Sequence, residues 1–169
     1  MSDLHVDLHR PTLVKFAKQS IQRGSKSFAF ASRLFDQTTR ERVWLLYAWC
    51  RKCDDMADGQ DHGGKMDADH DPKADLIIMR RLTGKAISGK RTGVPAFDCL
   101  ALVAAECGLT QKMCDDVIEG FALDAAQWRP RGEDDLYSYC YHVAGAVGVM
   151  MAVVMVTIAV GRRWVIEKY

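Results

Sequence analysis

A chain of 169 residues, 49% hydrophobic and 27% charged, has the length and composition of one globular domain rather than a disordered segment. Its formal net charge of +1 gives no electrostatic case for a nucleic-acid partner. Six cysteines fall mostly in helical, apolar stretches and no signal-peptide pattern precedes them, so the expectation is reduced thiols in a cytoplasmic protein.

In chain order, Pro11-Thr12 opens a helix whose Leu13, Val14, Phe16, Ala17 and Ile21 keep a 3.6-residue period, with Gly24 as its stop. Ser25-Lys26-Ser27-Phe28 follows, then a short apolar run through Phe35. Asp36 or Thr38 can cap the next helix, over 39–57, which has no interior Gly or Pro. A polar loop spans 59–72; its His62, Asp67, Asp69 and His70 lack apolar support and read as solvated rather than as metal ligands. Helices are expected at about 73–88, 96–107 and 111–127, with Gly89 and Gly108 as punctuation and Thr110 as a cap. Strand-type alternation is hardly seen, and the fold class is all-α.

The stretch Tyr47-Ala48-Trp49-Cys50-Arg51-Lys52-Cys53-Asp54-Asp55-Met56-Ala57-Asp58 carries the chemistry. At about 100° per residue, Tyr47, Arg51, Asp54 and Asp58 fall within an arc of roughly 60°. Carboxylates one turn apart repel and cost about 0.2–0.5 kcal/mol. A helix kept for stability gains nothing from that arrangement. One holding a hard divalent cation beside a phosphate does, because Mg²⁺ takes one or two carboxylates plus substrate oxygens. Arg51 can also pair with Asp55, one turn on. Cys50-x-x-Cys53 stands without a second such pair, which argues against zinc or redox use.

Two later features ask for partners. Gly120 inside a helix costs about 1 kcal/mol relative to Ala, which suits close approach by another backbone or a ligand. Asp124 lies amid Phe121, Leu123 and Trp128, and an acid in apolar company needs a partner. The run 143–160 has no charge and meets the lower limit for a membrane span, with Arg162 and Arg163 after it. Its first half is small-residue rich and continues an amphipathic stretch, so a helix lining a cavity for a long, slim ligand is the favoured reading.

Together these residues resemble the squalene/phytoene synthase family, most of all its bacterial phytoene synthases. The matching pieces are Ser25-Lys26-Ser27-Phe28, then Leu46-Tyr47-Ala48-Trp49-Cys50-Arg51-x-x-Asp54-Asp55-x-x-Asp58. Glu119-Gly120-x-x-x-Asp124 and Tyr139-Cys140-Tyr141-x-Val143-Ala144-Gly145-x-Val147-Gly148 follow in order, so the likeness covers about residues 12–152. The resemblance implies an isoprenoid-synthase fold with a central cavity. It also implies head-to-head condensation of two prenyl diphosphates in carotenoid biosynthesis, with geranylgeranyl diphosphate as substrate and farnesyl diphosphate in related enzymes. It assigns Asp54 and Asp58 to Mg²⁺ (or Mn²⁺), and Arg51 and Tyr47 to the diphosphate. Ser25, Ser27 and Phe28 fall to the substrate site, and Tyr139, Val143, Ala144, Val147 and Gly148 to the prenyl cavity.

The likeness stops near residue 152. Family members are close to twice this length and carry a second aspartate-rich motif, whereas 153–169 matches nothing expected of them. Residues 1–152 therefore read as the N-terminal part of a synthase-like domain and 153–169 as a divergent tail. The expectations are weak or no activity alone, an exposed apolar face prone to self-association, and peripheral contact with a membrane. A non-catalytic helical fragment and a tail-anchored membrane protein are the competing readings.

Overall fold

The computed structural model describes residues 9–59 and 71–157, and every regular element among them is helical. Helix α1 (Arg10–Gly24) is followed by the short α2 (Lys26–Ala31) and a 3₁₀ turn (Ser32–Leu34). Then come α3 (Gln37–Ala57), α4 (Pro72–Ile87), α5 (Pro95–Cys107) and α6 (Gln111–Ala125). The last three elements are α7 (Glu133–Cys140), a π turn (Tyr141–Gly145) and α8 (Ala146–Val156). They run on as one 24-residue helix, Glu133–Val156.

The boundaries follow local chemistry. Asp36 caps α3 by accepting from Thr39 N, and Thr110 caps α6 by accepting from Met113 N. Pro72 and Pro95 sit in the first turns of α4 and α5, where a missing N–H costs nothing. Gly108 ends α5 in the left-handed region at φ 73°. Gly24 ends α1 for a different reason from the one expected. The chain leaves the helix through Ser25 in extended backbone, and Gly24 itself has no positive φ. A Cβ at Gly24 would collide with the Tyr47 hydroxyl, so this glycine makes room for α3.

Helix α3 is the hub, touching α1, α4, α5, α6 and α8. Its Val43, Leu45, Leu46 and Trp49 meet Phe97, Leu100 and Val103 of α5 in one core. Each such side chain fully removed from water contributes about 1.5–3 kcal/mol. At the edge of this core Glu106 accepts from Arg10 Nε at 2.8 Å and Arg42 Nε at 2.7 Å, and Arg10 also pairs with Glu41. Burial alone would raise the Glu106 carboxyl, but the two guanidinium partners hold it below the ordinary value.

The long C-terminal helix behaves as a core element on one side only. Ala146, Met150 and Val154 are buried, whereas Val143, Val149, Met155 and Val156 are exposed. By length and composition it could cross a membrane, and 17% of its most apolar window is buried. The loop histidines and aspartates (His62, Asp67, Asp69, His70) and Arg162–Arg163 lie outside the described residues. All six cysteines are free.

Candidate active site

Helix α3 presents Tyr47, Arg51 and Asp54 on one face, as their spacing requires, and that face lines a cavity of about 380 Å³. Across it stand Val117, Gly120, Phe121 and Asp124 of α6 and, from the π turn and α8, His142, Val143, Ala144 and Val147. Tyr47, Arg51 and Asp54 thus gather on α3, and the wall facing them is mainly apolar, with Asp124 and His142 as its polar members.

The approach of α6 to the π turn sets the width of this hollow. A Cβ on Gly120 would sit 2.8 Å from His142 O and 3.1 Å from Val143 Cα, closer than real side chains come. Gly120 is therefore the close-approach glycine that its place in a helix suggested. The π turn closes its hydrogen bonds five residues back rather than four, as from Ala146 N to Tyr141 O, and His142 Nδ1 donates to Asp116 O at 2.9 Å, fastening the widened turn to α6. The Tyr141 hydroxyl donates to Asp116 Oδ2 at 3.1 Å.

Arg51 organises the acidic end of α3. Its Nη2 lies 2.7 Å from buried Asp55 Oδ1, and its Nη1 lies 3.7 Å from half-exposed Asp54 Oδ2. The Arg51–Asp55 pairing expected from spacing is present, and it pins the guanidinium at the cavity. Burial pushes the Asp54 carboxyl above its ordinary value; Arg51 pulls it down, and Asp58 and Asp55 push it up again. A carboxylate so placed gains when a cation arrives. The Cys50 thiol, raised to about 12 by burial, stays neutral and serves as wall.

The remaining assigned residues divide. Asp58 follows the last turn of α3, exposed, and is not part of the cavity lining, although its charge is felt at Asp54. Phe28 is half-exposed with its ring centroid 6.3 Å from that of Tyr47, and Ser25 caps α2 with its Oγ 3.2 Å from Ser27 Oγ; all three stand beside the cavity rather than in it. Tyr139 turns to α6, donating to Asp124 Oδ1 at 2.6 Å and stacking on Trp128 at 5.9 Å. It supplies the partner that Asp124 needed. Gly148 is exposed, with no neighbour near a Cβ. Val117, Phe121 and His142 were missed as lining residues. Val117 and Asp124 lie three and four residues from Gly120, and Phe121 lies four from Val117 and three from Asp124, so helical spacing was the available signal.

Among the described residues no group of three or more His, Cys, Asp or Glu is arranged to hold a metal ion. The donor set is a pair of carboxylates one turn apart, which suits a hard cation completed by ligand oxygens.

An all-helical body with Tyr47, Arg51 and Asp54 on one wall of its cavity and a mainly apolar wall opposite, Asp124 and His142 included, is the isoprenoid-synthase type of fold. It superposes on the crystal structure of a dehydrosqualene synthase in complex with ligand, with TM-score 0.72 and 26% identity, over 88% of this chain and 49% of that one. The squalene/phytoene synthase family model matches residues 21–162, and the chain belongs to that family. It is 45% identical to the phytoene synthase of Pseudescherichia vulneris and 41% identical to the 15-cis-phytoene synthase of Pantoea ananas, each over 150 residues. Those matches cover 88% of this chain and 48% of each relative, so the chain spans about half the length of these proteins.

Proposed function

We propose that this chain forms the diphosphate-gripping wall of a phytoene synthase-like prenyltransferase. Such an enzyme joins two geranylgeranyl diphosphates head to head through a cyclopropyl diphosphate, giving phytoene and releasing diphosphate. The observation that carries this reading is that Tyr47, Arg51 and Asp54 face Val143, Ala144 and Val147 across one cavity. The likeness to bacterial phytoene synthases supports the longer prenyl chain over farnesyl diphosphate.

Breaking the C–O bond of an allylic diphosphate leaves an allylic cation and a strongly negative leaving group. Arg51, already aimed at the cavity, offers charge-assisted hydrogen bonds to the phosphate oxygens as that charge grows. Asp54 and Asp58 would hold Mg²⁺ or Mn²⁺, which when bound neutralises the departing diphosphate. The rings of Tyr47 and Phe121 offer π faces to the cation, and Val143, Ala144 and Val147 keep water from it. Ser25, Ser27 and Phe28 reach the head group from α2, a role supported by the contact of Phe28 with Tyr47. Tyr139 acts through Asp124, holding that carboxylate at the rim. A cytoplasmic site beside a membrane suits a hydrocarbon product.

The test is calorimetric titration of the purified chain with geranylgeranyl diphosphate and Mg²⁺, alongside an assay for phytoene and diphosphate. The expected result is metal-dependent binding with slow turnover, affinity falling about tenfold or more in Asp54→Asn. Binding unchanged by Asp54→Asn or by chelation overturns the proposal. Farnesyl diphosphate in the same titration separates the dehydrosqualene-type alternative.

A further inference from the structure

A second concavity, of about 630 Å³, lies between α1, α2 and α3 and shares no lining residue with the cavity described above. Lys18, Lys26, Arg33 and Arg40 line it and no carboxylate does. None of the four makes an ion pair among the described residues. Three of them lie over aromatic rings instead: Lys18 and Arg40 are 5.7 and 5.6 Å from Trp44, and Arg33 is 5.7 Å from Phe30. Arg40 Nε is buried with no hydrogen-bond partner. Beside these cations two large apolar side chains stand in water, Phe30 at 68% and Leu34 at 87% exposure. The short α2 thus turns Phe28 toward Tyr47 and Phe30 toward this second site.

Four cations that make no ion pair among the described residues call for an anionic partner. A free phosphate would use the charges and leave Phe30 and Leu34 in water for no return. A nucleic acid would want a wide basic surface, and the chain as a whole carries only +1. Cations with aliphatic stems laid over Trp, next to protruding Phe and Leu, match the interfacial layer of a bilayer: head-group phosphates above, acyl chains just beneath. We propose that this face docks the chain on an anionic membrane, with the four basic side chains on lipid phosphates and Phe30 and Leu34 entering the acyl boundary. The proposal stands independently of the prenyl diphosphate reading.

Flotation of the purified chain with vesicles tests it, comparing phosphatidylcholine alone with an equal mixture of phosphatidylcholine and phosphatidylglycerol. Binding is expected to the mixture and to weaken with added salt. Lys18→Gln with Arg33→Gln should lower it about 30-fold, at about 1 kcal/mol for each basic residue near an anionic surface. Lys73→Gln with Lys90→Gln, exposed lysines distant from the groove, should leave it unchanged. Phe30→Ser with Leu34→Ser should reduce the binding that persists in salt. Circular dichroism of each variant establishes that it is folded. Equal binding to both vesicle types, or equal loss in the two double variants, overturns the proposal. So does competition by millimolar inorganic phosphate or by polyaspartate that removes binding at constant ionic strength, since that would assign the groove to a free anion or an acidic protein.

Discussion

Helix α5 and the helix formed by α7 with its continuation are comparably apolar stretches with opposite fates. Nine of the thirteen residues of α5 are buried, against three of the 24 residues of Glu133–Val156: Ala146, Met150 and Val154. The first is enclosed by α1, α3, α4 and α8. The second rests on one side only and is fastened by polar contacts: His142 to Asp116 O, Tyr141 to Asp116 and Tyr139 to Asp124. The difference separates what holds the fold from what shapes the site. The sealed half supplies stability and fixes the direction of α3, while the open half places aliphatic residues where a ligand can reach them.

The largest effect that would sharpen this contrast is cavity formation. Leu100→Ala in the sealed half should lose about 2–5 kcal/mol in urea unfolding, whereas Val149→Ala on the exposed side of α8 should stay within about 0.5 kcal/mol. Equal losses would mean that α8 is covered in solution, and sedimentation would then find self-association.

Next comes the ion-pair edge. The partners of Glu106 depress its folded-state carboxyl, so its stabilisation is present above the unfolded carboxyl value and disappears as pH falls through the folded one. Glu106→Gln should cost about 2 kcal/mol at neutral pH and flatten the acid limb of the stability profile. An unchanged limb would move acid sensitivity to other carboxylates.

Gly120→Ala tests the joint between the halves. Its Cβ would press on the backbone of the π turn, costing about 1–3 kcal/mol and weakening prenyl diphosphate binding together. Gly148→Ala, with free space around it, should instead gain up to about 1 kcal/mol from helix propensity. If both behave alike, the close approach of α6 is not what sets the cavity.

The smallest expected effect has the opposite sign. Asp58 is an exposed acid beyond a helix C-terminus and one turn from Asp54, so Asp58→Asn should raise stability by about 0.5 kcal/mol in thermal melts. It should also weaken metal-dependent diphosphate binding. A loss of stability would show that Asp58 has a structural partner.

Much of this molecule is legible from local chemistry. Periodic apolar residues, prolines in first turns, and caps at Asp36, Thr110 and Gly108 act within a few residues, so they specify helices from sequence alone. The common face of Tyr47, Arg51 and Asp54 follows from the pitch of one helix. Tertiary structure decided the rest, because those features depend on which surfaces meet. Asp58 shares that face by angle yet sits past the last turn, outside the hollow. The π turn exists where α6 and the last helix touch at Gly120, and no residue pattern within 133–156 announced it. The basic groove likewise collects side chains from three helices whose charges are scattered along the sequence. A single chain order sets pitch and caps, but only packing brings distant charges to one place, here with no ion pair among the described residues.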